Sequence, residues 1–177
     1  MKTFLLCSFL LLSGLFTVNA QTSTNNRVSP LDSVQTQIND LNIEITYSRP
    51  FLKGREFGKD IVPFGKVWRT GANEATVFEI NKDIIIEGQT LSAGKYSLYT
   101  IPNEGETIVI FNKEWDQWGT QYDESTDALR IAVPTFESAE STEQFTIDID
   151  SAGACCLTWG NVLVTFHITE KEDALNS

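Results

Sequence analysis

The sequence predicts an all-β fold, an antiparallel β-sandwich of about nine to ten short strands in one domain. Two observations carry this. Apolar and polar residues alternate with period two over most of the chain, the pattern of a half-buried strand. Runs rich in Val, Ile, Thr, Tyr and Phe recur at short spacing between Gly, Pro and Asn turn signals, with no long amphipathic helical stretch. A partly closed β-barrel is the alternative.

Taken in order, the chain opens with Met1-Lys2-Thr3, runs apolar from Phe4 to Phe16 and closes with Val18-Asn19-Ala20 before Gln21. A positive start, a short apolar stretch and small residues before a polar one predict a signal peptide over residues 1–20. The apolar run falls short of the roughly 20 residues that cross a bilayer. No Cys follows it, so no lipid anchor is expected. The expectation is an exported protein, periplasmic or extracellular, with no membrane insertion. Residues 21–32 are polar and read as a flexible leader. Residues 33–170 read as a single β domain and 171–177 as a tail.

Within the domain, Val34, Thr36 and Ile38 alternate with polar residues, as do Ile43, Ile45 and Tyr47. Residues 50–65 hold two prolines and three glycines and read as a long loop, a length that points to function. Strand signals resume at 67–69, 75–80, 84–86, 95–101 and 107–111. Residues 113–127 read as a loop, 128–133 and 143–149 as two strands. Gly160-Asn161 reads as a two-residue hairpin turn joining 155–159 to 162–168.

Charge is segregated. The chain has 13 Lys and Arg against 24 Asp and Glu, an acidic balance that argues against nucleic acid as a partner. Yet Arg49, Lys53, Arg55, Lys59, Lys66 and Arg69 lie in one segment opposed only by Glu56 and Asp60, a local net charge of 6 − 2 = +4. After removal of the signal segment, Cys155 and Cys156 are the remaining cysteines. Adjacent Cα atoms about 3.8 Å apart are too close for ordinary disulfide geometry, so free thiols are expected.

One set of strings has a wider echo. Tyr47-Ser48-Arg49-Pro50, the run from Val62 to Thr76 (VPFGKVWRTGANEAT), Leu91 to Leu98 (LSAGKYSL), Phe111-Asn112-Lys113 and Trp118-Gly119-Thr120 stand together. They resemble a bacterial domain-of-unknown-function family found in exported proteins of Gram-negative bacteria. Its signature is a VPYGKVWRTGANEAT-like segment, with Phe64 here where Tyr is usual. The resemblance covers nearly the whole mature chain. It implies an exported β-rich domain and no activity.

The candidate ligand-binding residues are Arg49, Arg69, Thr70, Asn73, Glu74 and Thr76, with Trp115, Trp118 and Tyr122 as a second group. If the 50–65 loop folds back, Arg49 and Arg69 converge. Two guanidiniums with nearby Asn and Glu suit a small polar or anionic ligand, a saccharide included, because Arg binds carboxylate and phosphate through a fixed fork. The competing reading pairs Arg69 with Glu74 and makes the string a structural pin. The aromatic group suits stacking on sugar rings or, alternatively, covers the core. Glu74 is the best catalytic candidate, as acid or base of a hydrolase or lyase. A structural envelope module is the third reading. No nucleophile motif accompanies the single histidine, His167, and its lone imidazole cannot make a zinc site. Asp148 and Asp150 with Asp123, Glu124 and Asp127 are the best calcium candidates but lack any ligand spacing, so no metal or cofactor is expected.

Overall fold

The computed structural model describes residues 27–171. The expected signal segment, half of the leader (21–26) and all but the first residue of the tail lie outside the described residues, while Leu31 and Asp32, expected in the leader, open the first strand. Nine antiparallel strands run β1 (Leu31–Ile38), β2 (Leu41–Ser48), β3 (Thr76–Ile80), β4 (Ile84–Ile86), β5 (Gln89–Leu91), β6 (Gly94–Pro102), β7 (Glu106–Asn112), β8 (Asp127–Ile149) and β9 (Ala154–Glu170). A single 3₁₀ turn at Glu124–Thr126 is the only helical element among the described residues. None of the described residues form a helix long and apolar enough to cross a membrane. The all-β expectation holds.

The strands hydrogen-bond in the order β1-β2-β3-β6-β7-β8-β9-β4-β5. Two layers arise because β8 is shared between them. Its first part pairs with β7 as far as Pro134, and its second part pairs with β9 from Thr135. Proline has no N–H to give a ladder, and the exchange of partners falls where one is missing. The chain therefore has one β8 of 23 residues where two strands were expected. Side chains from both layers meet in one core, with the Phe111 and Phe166 rings 6.3 Å apart and Tyr47 set edge-on to Phe145 at 5.6 Å. Fully burying one such side chain stabilises the fold by about 1.5–3 kcal/mol.

Gly160-Asn161 does not form the expected hairpin. The β8–β9 turn lies earlier, where Asp150 accepts from the N–H groups of Ala152 and Ala154 through its Oδ1, 2.9 Å each. Gly160 instead takes a positive φ of 61° inside β9, where the register with β8 shifts at Thr142. A glycine in the left-handed region serves a bulge as well as it serves a turn.

Changing partners leaves β8 with an edge that no strand covers beyond Pro134. The segment after β2 seals it. Phe145 N–H donates to Pro50 O and Leu52 N–H to Glu143 O, both 2.9 Å. Tyr47 accepts from Ile147 N–H at 2.9 Å and donates to Ile147 O at 3.2 Å through one hydroxyl. Buried backbone groups need such partners. The sandwich is thus stitched shut on this side by residues 47–52, directly before the long loop.

Candidate functional site

The long loop, residues 50–65, folds back over the end of the sandwich. Phe57 anchors it, 5.8 Å from Trp68 and 5.7 Å from Trp159. Those two indoles stack at 5.5 Å with 20° between planes, and Phe145 closes the cluster 4.9 Å from Trp68. Phe64 sits edge-on to Phe57 and presses on Gly58, a task that a ring performs without a hydroxyl.

Between this loop and the 67–73 string opens a cleft of about 560 Å³. Arg55, Lys66, Arg69 and Asn73 supply its polar lining with Ser29, and no carboxylate lines it. Arg55 donates through Nε to Leu52 O and through Nη2 to Phe51 O, 2.8 Å each, which fixes the guanidinium without neutralising it. Among the described residues, Lys53, Arg55, Lys66, Arg69 and Lys113 are the bases that form no ion pair. Four of those five belong to the 49–69 segment, so four of its six bases form no ion pair in the fold, Arg49 and Lys59 being paired.

Arg69 is the unusual member. Main-chain pairing of Trp68 with Thr100 (2.7 and 2.9 Å) fixes the string beside β6. Alternation then sends Trp68 into the aromatic cluster and Arg69 the other way. Gly119, held by its N–H on Asn73 O at 3.1 Å, packs on the Arg69 stem so closely that a Cβ there would overlap Cδ. The Arg69 Nε is buried with no hydrogen-bond partner, and burial pulls the guanidinium pKa down. An arginine nitrogen buried unsatisfied disfavours the fold by about 1–3 kcal/mol or more. Nothing among the described residues offsets this.

The structure separates the other expected site residues. Arg49 does not line the cleft. Its fork bonds Asp32 Oδ2 (2.9 Å), Phe145 O (3.0 Å) and Thr146 Oγ1 (2.8 Å), sealing β8 further. Arg49 and Arg69 therefore do not converge on one ligand, because the open β8 edge claims the first. Thr70 is buried at φ 49°, its hydroxyl 3.2 Å from that of Thr100. Thr76 donates to Thr70 O at 2.7 Å and, with Ser48 O, fills the space a side chain on Gly71 would need. These threonines shape the bend rather than the cleft wall, while Gly71 at the bend also lines the cleft. Asn73, at φ 62°, does line the cleft.

Glu74 pairs with Arg27, not with Arg69, and its carboxylate is half exposed outside the cleft. Trp118 bridges Glu74 through the backbone and is 49% exposed. Trp115 lies under the Lys95 ammonium, 5.2 Å from the ring centre. Tyr122 packs on Tyr99 at 4.8 Å and donates to Asp127 at 2.7 Å, and burial with that bond pushes its pKa up to about 12. None of the three aromatics lines the cleft, although Gly119 beside Trp118 packs on the Arg69 stem. The loop carrying them covers the outer side of β6, where Gln117 donates to the buried Tyr99 hydroxyl at 3.1 Å. His167 is exposed, and among the described residues no three His, Cys, Asp or Glu side chains gather as a metal site. Cys155 is buried and Cys156 half-buried, both free.

Arg55, Lys66, Trp68 and Trp159 line the cleft although none was singled out as a ligand residue. The charge segregation contained the signal for the first two. Nothing local marks Trp159, which arrives from a strand 90 residues later in the chain.

A family model described as "Protein of unknown function (DUF2911)" matches residues 29–168. Neither a curated protein nor a solved structure matches the chain.

Proposed function

The chain belongs to this family of proteins of unknown function, and from that premise we propose that it is a small-anion-binding domain rather than an enzyme. The anion sits in the cleft between the 50–65 loop and the 67–73 string. Arg69 and Lys66 hold its charge, Arg55 adds field, and Asn73 orients it. One observation carries the reading. Arg69 is partly buried with an unpartnered Nε, in a lining of three cations and no carboxylate, within a chain whose formal net charge is −11.

Physical chemistry favours this over a structural role. A cation that pinned the fold would have a partner, as Arg49 does. Removing an uncompensated, desolvated charge relieves the folded state. An arriving carboxylate or phosphate would meet the outer Nη donors of Arg69, Nε itself being buried, and form charge-assisted hydrogen bonds there. Glu74, salt-bridged to Arg27 and away from the cleft, offers no second carboxylate for acid–base work. Export through residues 1–20 belongs to the same proposal and would place the ligand outside the cytoplasm.

Isothermal titration of the mature protein with inorganic phosphate, sulfate and acetate at low salt tests it. At least one anion is expected to bind, with affinity falling tenfold or more in Arg69→Met, about 1.4 kcal/mol. Absence of binding to every anion, or unchanged affinity in the variant, defeats the proposal.

A further inference from the structure

We infer that the cleft takes an amphiphilic organic anion, a carboxylate or phosphate carried on an apolar or aromatic body, and not a sugar. This rests on the anion-binding reading and names its ligand class. Beyond the cations, Asn73 and Ser29, the lining side chains are apolar. Ile61, Val62 and Pro63 form one wall, the stacked Trp68 and Trp159 another, and Val67 stands at the rim. The rim is exposed, Val67 by 41% and Val28, facing it from the N-terminal side, by 76%. Apolar side chains left in water around a concave site mark a surface that something apolar covers.

Hydrogen-bond capacity decides against a polyol. Each sugar hydroxyl donates one proton and needs an acceptor once it is buried. The side chains that can accept here are Asn73 and Ser29, because arginine and lysine only donate. Both indole N–H groups point elsewhere, Trp68 Nε1 to Gly71 O at 3.1 Å and Trp159 Nε1 to Glu143 O at 3.2 Å. Trp68, the more exposed indole, therefore meets a ligand with its ring alone, with the buried Trp159 behind it. A volume of about 560 Å³ lies within the 300–1,000 Å³ range of small-molecule sites.

Calorimetric titration of the mature protein with acetate, octanoate, inorganic phosphate and glucose 6-phosphate separates the possibilities. Acetate and octanoate share a head and differ only in the body, as phosphate and the sugar phosphate do. Octanoate is expected to bind at least tenfold more tightly than acetate, and glucose 6-phosphate no more tightly than phosphate. In the rim variant Val28→Ser/Val67→Ser, octanoate affinity is expected to fall about threefold, and a fall in phosphate affinity larger than that in octanoate affinity would overturn the apolar rim. Equal affinities for acetate and octanoate would overturn the amphiphile assignment and leave anion binding intact, as would tighter binding of the sugar phosphate than of phosphate. Octanoate affinity unchanged in Arg69→Met would place the fatty chain elsewhere and overturn it too. If none of the four binds, both the ligand class and the anion site fall.

Discussion

Two arginines of similar sequence context meet opposite fates, and the contrast separates fold from function. Arg49 gives all its reach to Asp32, Phe145 O and Thr146, bridging strands 96 residues apart. Arg49→Ala would strand a buried carbonyl and a carboxylate, so a loss of about 2–4 kcal/mol is expected in urea unfolding, with anion affinity unchanged. Arg69 should behave in reverse, because its guanidinium has no partner to lose. Sequence alone showed both as free cations beside polar neighbours. What distinguishes them is the β8 edge left open after Pro134, a consequence of how distant strands pair. The expected pairing of Arg69 with Glu74 fails for a comparable reason, since Arg27 from the N-terminal side reaches that carboxylate.

At the scale of elements, the site is made by two loops pressed on one strand. The 67–73 string lies against β6 through Trp68 and Thr100, and the 113–122 loop locks it from outside through Gly119 and Gln117. Gly119 is where the second loop sets the aim of Arg69. A methyl there would come within 2.9 Å of Asn73 O and overlap the Arg69 stem. Gly119→Ala is therefore expected to weaken anion binding severalfold in calorimetry although every charge remains. Unaltered affinity would mean that the loop does not position Arg69. The period-two patterning exposed these strands well, because each buries one face and wets the other. It misread Gly160-Asn161, because a positive-φ glycine supplies the same local geometry to a bulge as to a hairpin. The choice between them lay with Asp150, whose side chain organises a better turn ten residues earlier.

For the whole molecule, the fold buries Tyr47, Tyr96 and Tyr99 and half-buries Tyr122. Desolvation raises the pKa of Tyr47, Tyr96, Tyr99 and Tyr122, which are all four in the chain. A phenol whose folded pKa lies above its unfolded value of 10.0 keeps its full contribution below pH 10 and loses it as pH rises toward the folded value, about 12 for Tyr122. Absorbance titration at 295 nm should show no native tyrosine ionising near pH 10, and stability should decline from there upward. A normal titration near pH 10 in the folded protein would contradict the packing of the loop over β6. The class of fold and its charge segregation were legible in the chain, since both are properties of composition and period. The cleft was only half legible. Its cations stood together in one segment, but its aromatic wall joins Trp68, paired with β6, to Trp159 on β9.

The central claim is that the Arg69 guanidinium is held unpaired for a ligand and adds no stability to the fold. Thermal unfolding of the mature protein and of Arg69→Met, each with and without saturating anion, tests it most directly. Without anion the variant should melt at or above the wild-type temperature, and anion should raise the melting point of the wild type alone. A variant that melts several degrees lower without anion, or an anion that stabilises both proteins equally, would contradict the account.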